Sequence, residues 1–133
     1  NEDDWMMTKE YIHTKKAPSA IGAYSQAVKY GDMIFLSGQI PLDPDKMILV
    51  SDDIDMQIKQ VFINLKYVLE ASGSSLENIL KLNVYLTNLK NFSKVNEHME
   101  IIFNKPYPAR AAIGINSLPK DSLIEIDAIA SVK

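Results

Sequence analysis

The chain has 133 residues, 47% of them hydrophobic and 23% charged, which is ordinary usage for one domain with a single sizeable core. Fourteen Lys plus Arg against seventeen Asp plus Glu leave a formal charge of −3, so no general basic field draws the protein towards a phosphate backbone, and RNA is disfavoured as the main partner. The absence of cysteine excludes disulfides, thiolate nucleophiles and zinc–thiolate sites, and fits a reducing compartment.

The first residues, Asn1-Glu2-Asp3-Asp4-Trp5, are acidic where a secretory or transit peptide is basic, and no apolar run is long enough to span a bilayer. The expectation is a cytoplasmic protein, with an organellar address left open. Residues 1–10 read as an N-terminal extension or expression remnant and 11–133 as one domain. Tyr11 to Thr14 is the candidate for a short leading strand. Ala27 to Tyr30 and Met33 to Ser37 read as a hairpin joined through Gly31-Asp32. Gly38 to Leu49 is the one long connection, and its two prolines favour an ordered loop.

Ser51 to Gly73 carries the clearest helical signal, with Ile54, Ile58, Val61, Phe62, Leu65, Val68 and Leu69 on one stripe. Ser51 and Asp52 offer N-caps and Gly73 a stop. Leu80, Leu82, Val84 and Leu86 alternate with polar residues as a strand. A second helix follows Asn91, directing Phe92, Val95, Met99, Ile102 and Phe103 towards the core and ending before Pro106. Asn96 flanks that stripe, and an amide there needs a partner. Arg110 to Ile115 is a further strand, and Ile124, Ile126, Ala128 and Ala130 alternate along the last. Two helices can cover only one face of such a sheet. On the other face the alternation puts Asn83, Tyr85, Ala112, Gly114, Leu123, Glu125, Asp127 and Ile129, a mixture that suits burial against further subunits.

The most informative segment is Pro106-Tyr107-Pro108-Ala109-Arg110-Ala111-Ala112. The prolines pre-order an extended backbone that releases one arginine among small residues, with no bulky sequence neighbour to cover it. A permanently charged planar fork in that setting suits a small carboxylate. Taken singly, Arg110 also reads as a surface salt bridge, Glu125 as an exposed strand carboxylate, Tyr24 as a packing aromatic and Asn96 as a local amide. His13 and His98 lie far apart and outside metal-binding spacings, so they read as surface or structural groups and no metal site is expected.

Four segments together carry a resemblance: Ala20-Ile21-Gly22-Ala23-Tyr24-Ser25-Gln26-Ala27, Ser37-Gly38-Gln39-Ile40-Pro41, Pro108-Ala109-Arg110 and Ile124-Glu125-Ile126-Asp127-Ala128-Ile129-Ala130. The chain resembles the Rid family of reactive intermediate deaminases, also called the YjgF or L-PSP family, from about Tyr11 to Val132. The resemblance implies a chorismate-mutase-like α+β subunit, a mixed sheet covered on one face by two helices, in a homotrimer with clefts between subunits. It implies hydrolysis of 2-imino acids such as 2-iminobutanoate and 2-iminopropanoate, the products of PLP-dependent dehydratases, with no cofactor. Arg110, Glu125 and Tyr24 match the family's catalytic positions, and Gly38 and Asn96 match residues lining the site. Ala112, counted with the substrate-binding positions, stands where many members have a cysteine, so any role for a thiol is absent; imine hydrolysis needs no covalent thiol step, and the activity is expected to survive. The loop before Arg110 is shorter than in the bacterial archetype, which bears on substrate preference. Asp127 is either a second acid or an interface charge, the latter favoured. Two other readings accompany the deaminase: an L-PSP-type endoribonuclease and a non-catalytic trimeric ligand-binding or chaperone protein.

Overall fold

The structure, a computed structural model, describes residues 8–133. Most of the expected N-terminal extension, residues 1–7, lies outside the described residues. Six strands and two α-helices follow in the order β1 (Lys9–Ile12), β2 (Ala27–Tyr30), β3 (Met33–Gln39), α1 (Ile54–Ala71), β4 (Ile79–Leu86), α2 (Phe92–Ile102), β5 (Ala109–Gly114) and β6 (Ile124–Ser131). The leading strand thus begins at Lys9, two residues ahead of the Tyr11 start expected. The strands form one mixed sheet in the order β1-β2-β3-β6-β4-β5. Only β4 and β5 are parallel neighbours, and α2 supplies the crossover that parallel pairing requires.

The α1 stripe is buried as its periodicity predicts, with Ile58, Val61, Leu65, Val68 and Leu69 all inaccessible against Ile34, Leu82, Val84, Leu86, Ile124 and Ile126 of the sheet. The N-cap is Asp53 rather than Ser51 or Asp52: its carboxylate accepts from Met56 N at 3.0 Å, and Ser51 Oγ in turn accepts from Asp53 N. At the other end Ser74 N reaches Leu69 O and Gly73 N reaches Glu70 O, with Gly73 at φ +81°, the left-handed close that glycine adopts freely.

Two strand expectations are corrected. Leu80 is not on the buried stripe; it is 46% exposed, because a bulge between Ile79 and Lys81 inserts an extra residue and Ile79 takes the inward place. Ala112 and Gly114 do not join the face opposite the helices. The parallel register sets Arg110 beside Leu82, Ala112 beside Val84 and Gly114 beside Leu86, all towards the helices. Small residues fit there because α2 and its entry turn press on this edge strand: a Cβ on Gly114 would meet Leu89 Cβ at 3.5 Å. The open face instead carries Ala111 and Ile113, beside Phe35, Asn83, Tyr85, Glu125, Asp127 and Ile129.

Candidate functional site

The residues singled out by sequence fall into two groups on the two faces of the sheet. On the helix face, Arg110 leaves β5 beneath α2. Its Nη1 donates to Asn96 Oδ1 at 2.5 Å, and Met99 Sδ lies 3.4 Å from the same nitrogen. Arg110 is thus the partner that the Asn96 amide called for. The Phe92 ring covers the guanidinium, with 4.6 Å from Cζ to the ring centroid, so Arg110 does have a bulky neighbour, one brought in by the fold rather than by adjacent sequence. Arg110, Asn96 and Met99 line a cleft of about 240 Å³ with Glu100, Tyr107 and Pro108. Ala112 lies two residues along the same strand, on the same face as Arg110.

On the open face, Glu125 projects over β3, where a second bulge between Leu36 and Gln39 brings Gly38 close. A Cβ on Gly38 would fall 2.5 Å from Glu125 Oε2 and 2.9 Å from Cδ, so glycine here makes room for the carboxyl. Glu125 has no hydrogen-bond or ion-pair partner among the described residues. Burial first, and the negative charge of Asp127 second, push its pKa above the usual 4.5. Asp127 itself is well held, accepting from Asn83 Nδ2 at 2.7 Å and from Tyr85 Oη at 3.0 Å. Burial, then that hydrogen bond, raise the Tyr85 phenol.

Glu125 and Gly38 line a second cavity, of about 320 Å³, together with Tyr24, Ile21, Leu42, Met47 and Lys120. Its walls are loops held by three buried amides. Gln26 Nε2 donates to Thr14 O and Pro18 O while its Oε1 accepts from Thr14 N at 2.6 Å, which fixes the stretch leading to Tyr24. Asn64 Nδ2 binds Ile40 O and Leu42 O of the long connection, each at 3.2 Å. Gln57 ties Ser51 O to Leu123 N, just before Glu125. Satisfying loop backbone is what a buried amide does at such a position. Lys120 Nζ donates to Met47 O at 3.3 Å across the rim.

Two residues remain outside both groups. His98 bridges the helices, with Nε2 2.9 Å from Asp55 Oδ1, a structural contact that holds the Asp55 carboxyl below its usual range. His13 lines neither cavity. Among the described residues, no three His, Cys, Asp or Glu side chains gather in a metal-holding group. Phe92, Met99 and Glu100 around Arg110, and Lys120 beside Glu125, are neighbours the sequence did not reveal as such, because each depends on tertiary contact.

The chain is similar to known proteins over most of its length. The family model described as Endoribonuclease L-PSP matches residues 14–132. A RutC family protein of Pyrococcus abyssi is 49% identical over 93% of this chain and 98% of its own. The human 2-iminobutanoate/2-iminopropanoate deaminase is 42% identical over 93% of this chain and 90% of its own. Among solved structures, RidA from an Antarctic Psychrobacter superposes with a TM-score of 0.88 at 44% identity, covering 92% of this chain and 98% of that one.

Proposed function

This chain belongs to the Endoribonuclease L-PSP family, and from that premise we propose that it is a homotrimeric hydrolase converting small 2-imino acids to 2-keto acids and ammonia. The observation that carries this reading is the pairing of an unoccupied guanidinium edge in one cleft with an unpartnered carboxyl of raised pKa in another. A protonated imino acid needs little else. Its carboxylate takes the Arg110 fork, and its C=N carbon is already electrophilic. Glu125 accepts a proton from water as the oxygen adds to that carbon, returns it to the nitrogen of the carbinolamine, and then takes up the hydroxyl proton as the C–N bond breaks, the carbonyl forms and ammonia leaves. A carboxyl with a raised pKa suits both directions of transfer. Tyr24 closes the cavity on the Glu125 side and offers its hydroxyl.

Because Arg110 and Glu125 are on opposite faces, one protomer cannot present both to one small molecule; a neighbouring copy in a closed ring can. Large apolar side chains exposed on the open face, Phe35 at 47% and Ile113 at 49%, support such packing. Two relatives that carry the deaminase name, human and Dermatophagoides farinae, support the chemistry at 42% and 38% identity. PLP-dependent dehydratases acting on hydroxy amino acids are the reaction class that would supply the substrate.

The test couples a PLP-dependent threonine dehydratase to keto-acid detection, with RNA cleavage measured in parallel on wild type and Arg110→Ala. Keto-acid release faster than the spontaneous rate, lost in Arg110→Ala, is expected. No acceleration with any short-chain imine, or RNA cleavage that survives Arg110→Ala, overturns the assignment.

A further inference from the structure

Phe92, Asn96 and Met99 are spaced four and three residues apart, one stripe of α2, and all three reach the same guanidinium. Asn96 Oδ1 and Met99 Sδ both engage Nη1, and the Phe92 ring lies against the cation. The helix carrying them is seated in the core, since Val95 is inaccessible and Met99 is 5% exposed. A guanidinium has five N–H donors; with the two on Nη1 directed at Asn96 and Met99, the free ones are on Nε and Nη2. No other hydrogen bond or ion pair of Arg110 occurs among the described residues. The Nε and Nη2 donors run parallel and form the side-on fork of the planar group, whereas the end-on fork requires a hydrogen of Nη1.

A second observation gives this arrangement a purpose. Glu100 lines the same cleft, yet no ion pair joins it to Arg110 among the described residues. A loosely held arginine would be expected to swing onto that carboxylate and be lost to substrate.

We propose that Phe92 and Met99 are positioning residues that, with Asn96, lock the Arg110 guanidinium away from Glu100 and offer only its Nε/Nη2 edge to a substrate carboxylate. The proposal rests on the reading of Arg110 as the carboxylate anchor and adds what holds that anchor ready. Preorganisation of this kind strengthens binding by removing the cost of ordering the side chain on arrival.

The test measures binding of 2-oxobutanoate, an unreactive carboxylate of the right size, to the assembled protein by calorimetry, together with steady-state imine hydrolysis. Phe92→Leu removes the cation–π face and is expected to weaken keto-acid binding and raise KM about three- to thirtyfold, with kcat within about twofold of wild type. Phe92→Trp, which restores an aromatic face, is expected to recover most of that loss. Glu100→Gln in the Phe92→Leu background is expected to restore binding further, which a merely structural role for Phe92 would not produce. Arg110→Lys runs alongside. If Arg110→Lys binds the keto acid as wild type does, the anchor reading itself fails. If Arg110→Lys loses binding while Phe92→Leu keeps wild-type affinity, the clamp alone is overturned. Should Phe92→Leu not assemble, Met99→Leu decides through the side-chain ¹⁵N signal of Arg110: a more mobile Nε–H with weaker keto-acid binding supports the clamp, and wild-type order and affinity overturn it.

Discussion

Arg110 and Glu125 project from opposite faces of one sheet: Arg110 pairs in register with buried Leu82 beneath α2, and Glu125 pairs with Tyr85 on the face the helices leave open. If one active site uses both, it draws them from different protomers. Mixing then gives a direct check. Arg110→Ala and Glu125→Gln are each expected to be inactive as pure assemblies. Random co-assembly of equal amounts should restore about one quarter of wild-type activity, since each site needs its arginine from one variant and its glutamate from the other. Activity in the mixture no higher than in either parent would place both residues in one protomer's site, or neither.

Gly38 leaves open the space beside β3 that the Glu125 carboxyl occupies. Gly38→Ala forces the carboxyl aside, because the Cβ would sit 2.5 Å from Oε2. The end of a glutamate moves easily, so stability should change by less than about 1 kcal/mol while kcat falls at least about tenfold. In a Glu125→Gln background the same substitution should add little, because coupled sites are non-additive. Two independent, multiplying defects would mean that Gly38 serves something other than Glu125.

Asp127 tunes Glu125 from two residues away on the same strand face. Asn83 and Tyr85 hold its carboxylate with hydrogen bonds, and its charge helps to raise the Glu125 pKa. Asp127→Asn should therefore lower that pKa and move the acid limb of the kcat/KM profile to lower pH. Other charged or titratable groups around Glu125 are Tyr85 on β4, with Tyr24 and Lys120 across the cavity. None of them is removed by the substitution, so an unmoved acid limb would detach Asp127 from the chemistry.

The same shift has a thermodynamic cost. A carboxyl whose folded pKa is raised binds more protons folded than unfolded, so stability falls as pH rises from the unfolded value of about 4.5 through the folded one. Glu125→Gln lacks this loss. Melting temperatures of wild type and Glu125→Gln should converge below about pH 4.5 and separate in favour of the variant as pH approaches neutrality. A variant that is less stable at pH 7 would make Glu125 a structural residue.

Periodicity made much of this molecule legible, and its failures have specific causes. The α1 stripe and the β6 alternation were readable because each residue's fate depends on the repeat of its own element: 3.6 for Ile58 to Leu69, 2.0 for Ile124 to Ala130. Leu80 broke the pattern because a bulge is a property of the pair β4–β6, not of β4 alone. The face taken by Ala112 was set by pairing with β4 and by α2 pressing on the edge strand. Arg110 was recognisable from Pro106 and Pro108, but its clamp was not, since Phe92 lies 18 positions away and carries the same apolar signature as any core residue. Phe92, at the start of α2, thus serves packing and the candidate site together.

Arg110→Lys is the sharpest test of carboxylate recognition. Lysine keeps the charge but replaces a planar fork with one rotating ammonium, and it cannot repeat the arrangement in which Asn96 and Met99 occupy one nitrogen while a parallel pair of donors stays free. The face laid against Phe92 is lost with it. Losing a bidentate, charge-assisted contact should cost about 1.5 to 3 kcal/mol, or roughly ten- to a few hundredfold in kcat/KM. The defect should appear equally in the affinity for 2-oxobutanoate, because ground state and transition state share the carboxylate. Amide or ester analogues lacking that group should be indifferent to the substitution. An intact assembly of Arg110→Lys that matches wild type in both keto-acid affinity and imine turnover would remove Arg110 from substrate binding and leave it as a pin between β5 and α2.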